Sequence, residues 1–125
     1  MGNSLELYEA RVSYLQFVNQ SVEIHFSYAC IHKFMGQAGR DTGKSWSQEV
    51  VLSLQDAQLV APMPPLPNVV LDGYLEVDGD RYELIPLPFE RVSPASLHLE
   101  FSDESVLEVY GKYPLIKLLG EKVFL

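Results

Sequence analysis

The chain has 125 residues but only one cysteine, Cys30, so no disulfide bond can form within it. It also lacks the ~18–20 consecutive apolar residues of a membrane-spanning helix. Its first residues carry neither the basic region nor the unbroken apolar region of a signal peptide. These absences predict a cytoplasmic protein. A length of 125 residues predicts a single domain, 1–125, because domains most often have about 100–150 residues.

Basic residues are scarce: 9 Lys and Arg stand against 17 Asp and Glu, which gives a net charge of −8. Such a surface repels nucleic-acid phosphates and anionic lipids, so we expect neither nucleic acid nor a membrane as a partner. The same charge favours a basic protein partner, because complementary charge raises association rates and discriminates between partners. The sequence does not determine the oligomeric state.

Alternation of apolar and polar residues is the dominant pattern, as is typical of half-buried β-strands. Between positions 22 and 34 it predicts an inward face that includes Cys30 as a buried, unreactive thiol, and it places His25 on the opposite face. The full predicted inward set is Val22, Ile24, Phe26, Tyr28, Cys30, His32 and Phe34. The preceding segment predicts a second inward set, Tyr8, Ala10, Val12 and Tyr14. A polar turn at 19–21 joins the two strands as a hairpin.

Two further hairpins are predicted at Asp78-Gly79 and at the polar turn 102–105. The segment 115–125 predicts one or two more strands around Gly120. Polar turns spaced regularly between short strands favour a sandwich or barrel over alternating strands and helices. We therefore predict an all-β fold, a single antiparallel sandwich or partly closed barrel of about seven to nine strands.

The middle of the chain leaves two interpretations open. Residues 46–59 fit a strand through Val50-Val51, but their apolar residues also fit a helical stripe. We favour a strand, with a short helical turn at 55–59. A glycine-rich flexible loop is predicted at 35–45, and an extended proline-rich connector at 62–67.

Residues 38–45 match a relaxed phosphate-loop pattern ending in Lys44 and Ser45. A phosphate loop needs a strand before it and a helix directly after it, so that backbone N–H groups surround the phosphates. The sequence after Ser45 does not predict such a helix clearly. We therefore interpret the match as coincidental, and predict no nucleotide or other cofactor.

Cys30 and His32 share one face of the predicted strand, where they could form a thiol–imidazole pair or supply two metal ligands. A metal site needs at least one more donor, and the sequence alone places none beside them, so no metal is predicted. The carboxylates fall mostly on turns and solvated faces rather than in pairs suited to acid–base catalysis. No catalytic residues are predicted, and an enzyme is the least favoured class.

These observations predict a small acidic, non-catalytic binding module that neutralises a basic protein partner. The alternative is a barrel that binds a small ligand, since closed sheets of about eight strands can hold one. Long loops often carry binding residues, so the predicted site comprises Arg40, Asp41 and Lys44 in the loop and Trp46 at its base. A competing interpretation places Trp46 in the core, where it closes one end.

Overall fold

A computed structural model describes residues 2–34 and 44–125, and within these ranges the chain forms eight β-strands and no helix. The strands are β1 Gly2–Val18, β2 Ser21–Phe34, β3 Lys44–Val60, β4 Asn68–Val77, β5 Asp80–Tyr82, β6 Leu84–Leu87, β7 Pro94–Phe101 and β8 Val106–Phe124. All pairings are antiparallel. The predicted all-β antiparallel class is confirmed, and the strand number lies within the predicted range.

The strands form one sheet in the order β5-β4-β7-β8-β3-β2-β1-β6. An additional pairing of β1 with β4, in which Arg11 lies opposite Val69, brings the two ends of this order together. The first residues of β1 pair instead with β6, and the last residues of β4 pair with β5. The sheet is therefore a partly closed barrel, with the β5–β6 segment inserted between β1 and β4 over part of their length.

The turns form where the sequence predicted them. Asp78 and Gly79 join β4 to β5 with φ angles of 53° and 83°, the left-handed conformation that a tight hairpin turn requires. β1 and β2 pair across the turn that follows Val18, and β7 and β8 pair across residues 102–105. The C-terminal segment does not divide into two strands, because β8 continues through Gly120 to Phe124.

The inward side chains fill the barrel with one apolar cluster to which every strand except the short β5 contributes a buried residue. Trp46 and Phe101 are its largest fully buried members. Its other buried members are Leu5, Leu7, Ala10, Val12, Val22, Ile24, Phe26, Ala29, Ile31, Val50, Leu52, Leu54, Val70, Leu75, Val77, Ile85, Phe89, Ala95, Leu97, Leu99, Leu107 and Val109. Burial of this much apolar surface is the main term that favours the folded state.

A β-bulge in β2 overturns the face predicted for Cys30. The register with β3 shifts between Phe26 and Ala29, so that two residues of β2 oppose one residue of β3. Beyond the bulge the two faces are exchanged: Ala29 and Ile31 are buried in the core, whereas Cys30 and His32 are only partly buried. The prediction of Cys30 as a core thiol was therefore wrong, because strict alternation does not survive an inserted residue.

Irregularities in β1 have the same effect. Its register with β2 shifts between Glu6 and Arg11, and Glu9 has a positive φ of 65°. Leu7 and Ala10 are both buried although they are three residues apart, which a regular strand does not allow. The predicted inward face was correct for Ala10 and Val12 but wrong for Tyr8 and Tyr14, which are 53% and 47% exposed.

The remaining predictions for the middle of the chain can be compared with β3 and its neighbours. Residues 46–59 lie in β3, which confirms the strand, but 55–59 contain a bulge at Asp56 rather than a helical turn. Of the predicted loop 35–45, residues 35–43 lie outside the described residues, and Lys44 and Ser45 begin β3. Residues 61–67 connect β3 to β4 without a helix or strand, as the proline-rich sequence predicted. Residues 2–34 and 44–125 contain no helix that is long and apolar enough to cross a membrane.

Candidate functional site

The acidic charge of the chain is concentrated in one part of the fold. Residues 68–110, which run from β4 into the first part of β8, contain ten of the 17 acidic residues and two of the nine basic residues. The whole net charge of −8 therefore belongs to this segment, and the rest of the chain is neutral overall. The two basic residues are themselves paired with acids: Arg81 Nε lies 2.7 Å from Glu76, and Arg91 Nη2 lies 2.8 Å from Asp78.

Within this segment, the outer surfaces of β4, β5 and β7 form a groove of about 690 Å³. Alternation places its lining on the solvent side of the sheet while Leu75, Leu97 and Leu99 face the core. The polar side chains of the lining are Asp72, Tyr74, Arg81, Tyr82, Glu83, His98 and Glu100. Three of these seven are carboxylates and only one, Arg81, carries a permanent positive charge.

Three flat side chains form the centre of the groove. Tyr74 lies directly opposite His98 in the β4–β7 register, and their rings stack with centroids 5.1 Å apart at an interplanar angle of 20°. On the other side of Tyr74, the Arg81 guanidinium carbon lies 4.2 Å from the ring centroid, in a cation–π contact. Because each of the three side chains has a packed neighbour, the centre of the groove is preorganised before any ligand arrives.

His98 lies between two carboxylates. Its Nδ1 is 3.2 Å from Glu108 on β8, and its Nε2 is 3.3 Å from Glu100 on the same strand. The groove lining contains no serine, threonine or cysteine that could act as a nucleophile beside this imidazole. The arrangement is suited to holding a positively charged group by carboxylate hydrogen bonds rather than to covalent catalysis.

Two carboxylates of the same segment remain ionised well below neutral pH. Hydrogen bonds from Arg91 and then Ser93 lower the pKa of Asp78 below its ordinary value. Hydrogen bonds from the side chain and backbone of Ser105 lower the pKa of Asp103 in the same way. These two carboxylates therefore stay negatively charged throughout the physiological pH range.

The structure describes two of the four residues predicted as the binding site. Arg40 and Asp41 lie outside the described residues, and Lys44 is exposed at the start of β3. Trp46 is 2% exposed, and its indole Nε1 donates a hydrogen bond of 3.0 Å to Gln48 Oε1. The core position of Trp46 agrees with the competing interpretation, in which it closes one end of the core. The excess of acidic residues in 68–110 is the sequence signal that could have pointed to the acidic groove.

A second group of polar side chains lies on the outer face of β1, β2 and β3. Cys30 Sγ is 3.6 Å from His32 Nε2, and the same nitrogen is 3.4 Å from Glu6 Oε1. Ser45 Oγ is 2.8 Å from His32 Nδ1 on the other side of the ring. Burial raises the pKa of the Cys30 thiol, and the nearby Glu6 carboxylate raises it further. Sequence analysis found Cys30 and His32 together but missed Glu6 and Ser45, which lie on other strands.

The match to a phosphate loop has no structural counterpart in the described residues. Lys44 and Ser45 are the first residues of β3, and the chain after them continues as a strand. The Ser45 hydroxyl, which would bind a metal ion in a phosphate loop, contacts His32 instead. The interpretation of this motif as coincidental is supported by the strand that follows it.

We compared the chain with known proteins in three ways. Neither protein-family models nor curated proteins nor solved structures gave a match. Function must therefore be inferred from the side chains that the fold brings together.

Proposed function

We propose that this protein is a non-catalytic binding module that captures a basic protein partner through its acidic face. The acidic face is the outer surface of β4, β5, β7 and the first part of β8, including the groove around Tyr74. The observation that carries the proposal is the segregation of charge: residues 68–110 hold the entire net charge of −8.

Concentrated charge of one sign has a specific physical consequence for association. An even distribution of acidic residues would give a weak field in every direction, whereas a segregated one gives a strong field over one face. Such a field steers a basic partner to that face and increases the association rate, which decreases again as salt screens the charges. This supports one oriented docking surface rather than general repulsion of anions.

The groove supplies the local contacts that steering alone does not. Asp72, Glu83 and Glu100 offer carboxylate oxygens to a cationic side chain, with Tyr74 between Arg81 and His98 at the centre. A charge-assisted hydrogen bond to a carboxylate is about twice as strong as one between neutral groups. We therefore place an arginine or lysine of the partner in the groove. We also propose that the protein acts in the cytoplasm, where its single cysteine stays reduced.

The proposal can be tested with an oligo-arginine peptide as the probe. In the groove variant, Asp72→Asn, Glu83→Gln and Glu100→Gln remove three carboxylates that line the groove. In the matched control, Glu9→Gln, Glu49→Gln and Glu121→Gln remove three exposed carboxylates outside residues 68–110. Both variants change the net charge from −8 to −5, so they differ only in where the charge is lost.

We expect the groove variant to weaken peptide binding by at least about tenfold, since each carboxylate hydrogen bond to a charged group contributes about 1.5–3 kcal/mol. The control variant should bind nearly as well as the wild type, and both should show reduced affinity in high salt. Isothermal titration calorimetry measures both effects. Equal weakening by the two variants would contradict the proposal, because binding would then depend on net charge alone.

The alternative, binding of a small ligand, is supported by one observation. A groove of about 690 Å³ lies within the range of small-molecule sites, about 300–1,000 Å³. The packed apolar cluster occupies the barrel interior, so such a ligand would bind on the outer surface. Two results together would favour this alternative. A small polyamine would bind saturably to the wild type but not to the groove variant, and the oligo-arginine peptide would bind both variants equally.

A further inference from the structure

The fold brings three metal-binding side chain types to one place on the outer face of β1 and β2. Glu6 lies directly opposite Cys30 in the β1–β2 register, and His32 is two residues further along β2. One donor atom from each side chain can be chosen so that all three lie within 4.8 Å of one another. Carboxylate, thiolate and imidazole together form a donor set that zinc accepts.

Two of the three separations agree with ligands arranged around one tetrahedral ion. Zinc binds thiolate sulfur at ~2.3 Å, imidazole nitrogen at ~2.0–2.1 Å and carboxylate oxygen at ~2.0–2.2 Å. At tetrahedral angles these bond lengths place sulfur and nitrogen about 3.5 Å apart, and nitrogen and oxygen about 3.4 Å apart. The observed distances from His32 Nε2 are 3.6 Å to Cys30 Sγ and 3.4 Å to Glu6 Oε1.

A residue on the third strand orients the imidazole. Ser45 lies opposite His32 in the β2–β3 register, and its Oγ is 2.8 Å from His32 Nδ1. When Nδ1 donates its hydrogen to this oxygen, the Nε2 lone pair faces Cys30 and Glu6. Metal-binding histidines usually have such an outer hydrogen bond, which fixes the tautomer and the ring orientation.

The electrostatics of the cluster favour a cation. A divalent ion bound between Glu6 and Cys30 neutralises the carboxylate and the thiolate, since a coordinated thiol loses its proton. Two of the three side chains are accessible, because His32 and Glu6 are 28% and 33% exposed.

We propose that Glu6, Cys30 and His32 bind one zinc ion, with Ser45 as a positioning residue. Three protein ligands leave the fourth tetrahedral position for water or an exogenous ligand, as in zinc sites that are open to solvent. The cluster lies on β1, β2 and β3, outside the acidic face, so this proposal is independent of the proposed function.

Cobalt(II) is the probe, since it replaces zinc and reports its ligands by absorption. We expect the wild type to bind one equivalent, with a thiolate-to-cobalt charge-transfer band and the intense visible bands of tetrahedral cobalt. Zinc should displace the cobalt. Cys30→Ser should remove the charge-transfer band. Ser45→Ala should reduce cobalt affinity about 10–100-fold, and Glu6→Gln should reduce it further.

The chain offers a matched control. His25 and Glu23 form a similar imidazole–carboxylate pair on the same strand, with Nε2 and Oε1 3.5 Å apart. Glu23→Gln should therefore leave cobalt binding unchanged. A readout that needs no variant is alkylation of Cys30 by iodoacetamide, which zinc should slow in the wild type. The proposal is overturned if cobalt binds Cys30→Ser as tightly as the wild type, or if zinc leaves alkylation unchanged.

Discussion

Gly111 on β8 packs closely against β3, and its replacement by alanine gives a quantitative test of the fold. A Cβ atom added to Gly111 would lie 2.8 Å from the backbone oxygen of Gln55 and 2.9 Å from Leu54 Cβ. Carbon atoms attract at about 3.5–4.0 Å, so the second contact is at least about 0.6 Å too short. The atoms that would have to move belong to the β3 backbone and a core leucine rather than to a flexible side-chain tip.

Overpacking of this kind costs about 1–3 kcal/mol of unfolding free energy. The entropy of unfolding is about 2.1 cal/mol/K per residue, or about 260 cal/mol/K for this chain, so each kcal/mol lowers Tm by about 4 °C. Gly111→Ala should therefore lower Tm by about 4–12 °C.

Urea denaturation followed by far-ultraviolet circular dichroism measures the change. The midpoint should fall while the m-value stays constant, because the surface exposed on unfolding is the same. Gly2→Ala is the matched control, since a Cβ at Gly2 meets nothing within 4 Å. Surface substitutions usually change the free energy of unfolding by no more than about 0.5 kcal/mol. If the unfolding free energies of the two variants differ by less than this, the close approach of β8 to β3 at Gly111 is refuted.

Two further predictions concern single side chains. Trp46 is 2% exposed, so its fluorescence should be blue-shifted and resist acrylamide quenching, whereas efficient quenching in the native protein would contradict its core position. The Arg91 hydrogen bond lowers the pKa of Asp78 in the folded state. Asp78 therefore stabilises the fold at pH values above its unfolded pKa of about 3.9, and this stabilisation is lost as the pH falls through the lower folded pKa. Asp78→Asn should therefore lower Tm at pH 7 but not at a pH below both pKa values. If Asp78 and Arg91 do not pair, the Tm difference between the variant and the wild type should be the same at both pH values.

Turn chemistry made the hairpins predictable from the sequence. Asp78-Gly79 tolerates the positive φ angles of a two-residue turn, and that preference is a property of the residues themselves. The fold class followed in the same way, because alternation and turns are both local. What local patterns could not supply was the side on which each residue lies after a bulge, as Cys30 shows.

The acidic groove and the Glu6 and Ser45 members of the metal cluster were missed for a related reason. Glu6 and Cys30 are 24 positions apart in the sequence and meet only because the β1–β2 register pairs them. The groove requires β4, β5 and β7 to lie side by side, which depends on the order of strands in the sheet. Register and strand order are set by packing of the whole core, so a single sequence does not reveal them.

At the bulge in β2, the number of residues is more important than their identity. Ser27 and Tyr28 oppose the single residue Glu49, and neither of them is a fully buried core residue. Many substitutions at Ser27 should therefore be tolerated. Deleting Ser27 would restore simple alternation, turning Ala29 and Ile31 towards solvent and Cys30 and His32 towards the core. In a library of variants, positions 27 and 28 should accept new side chains readily, whereas β2 should reject a change of length by one residue at the bulge.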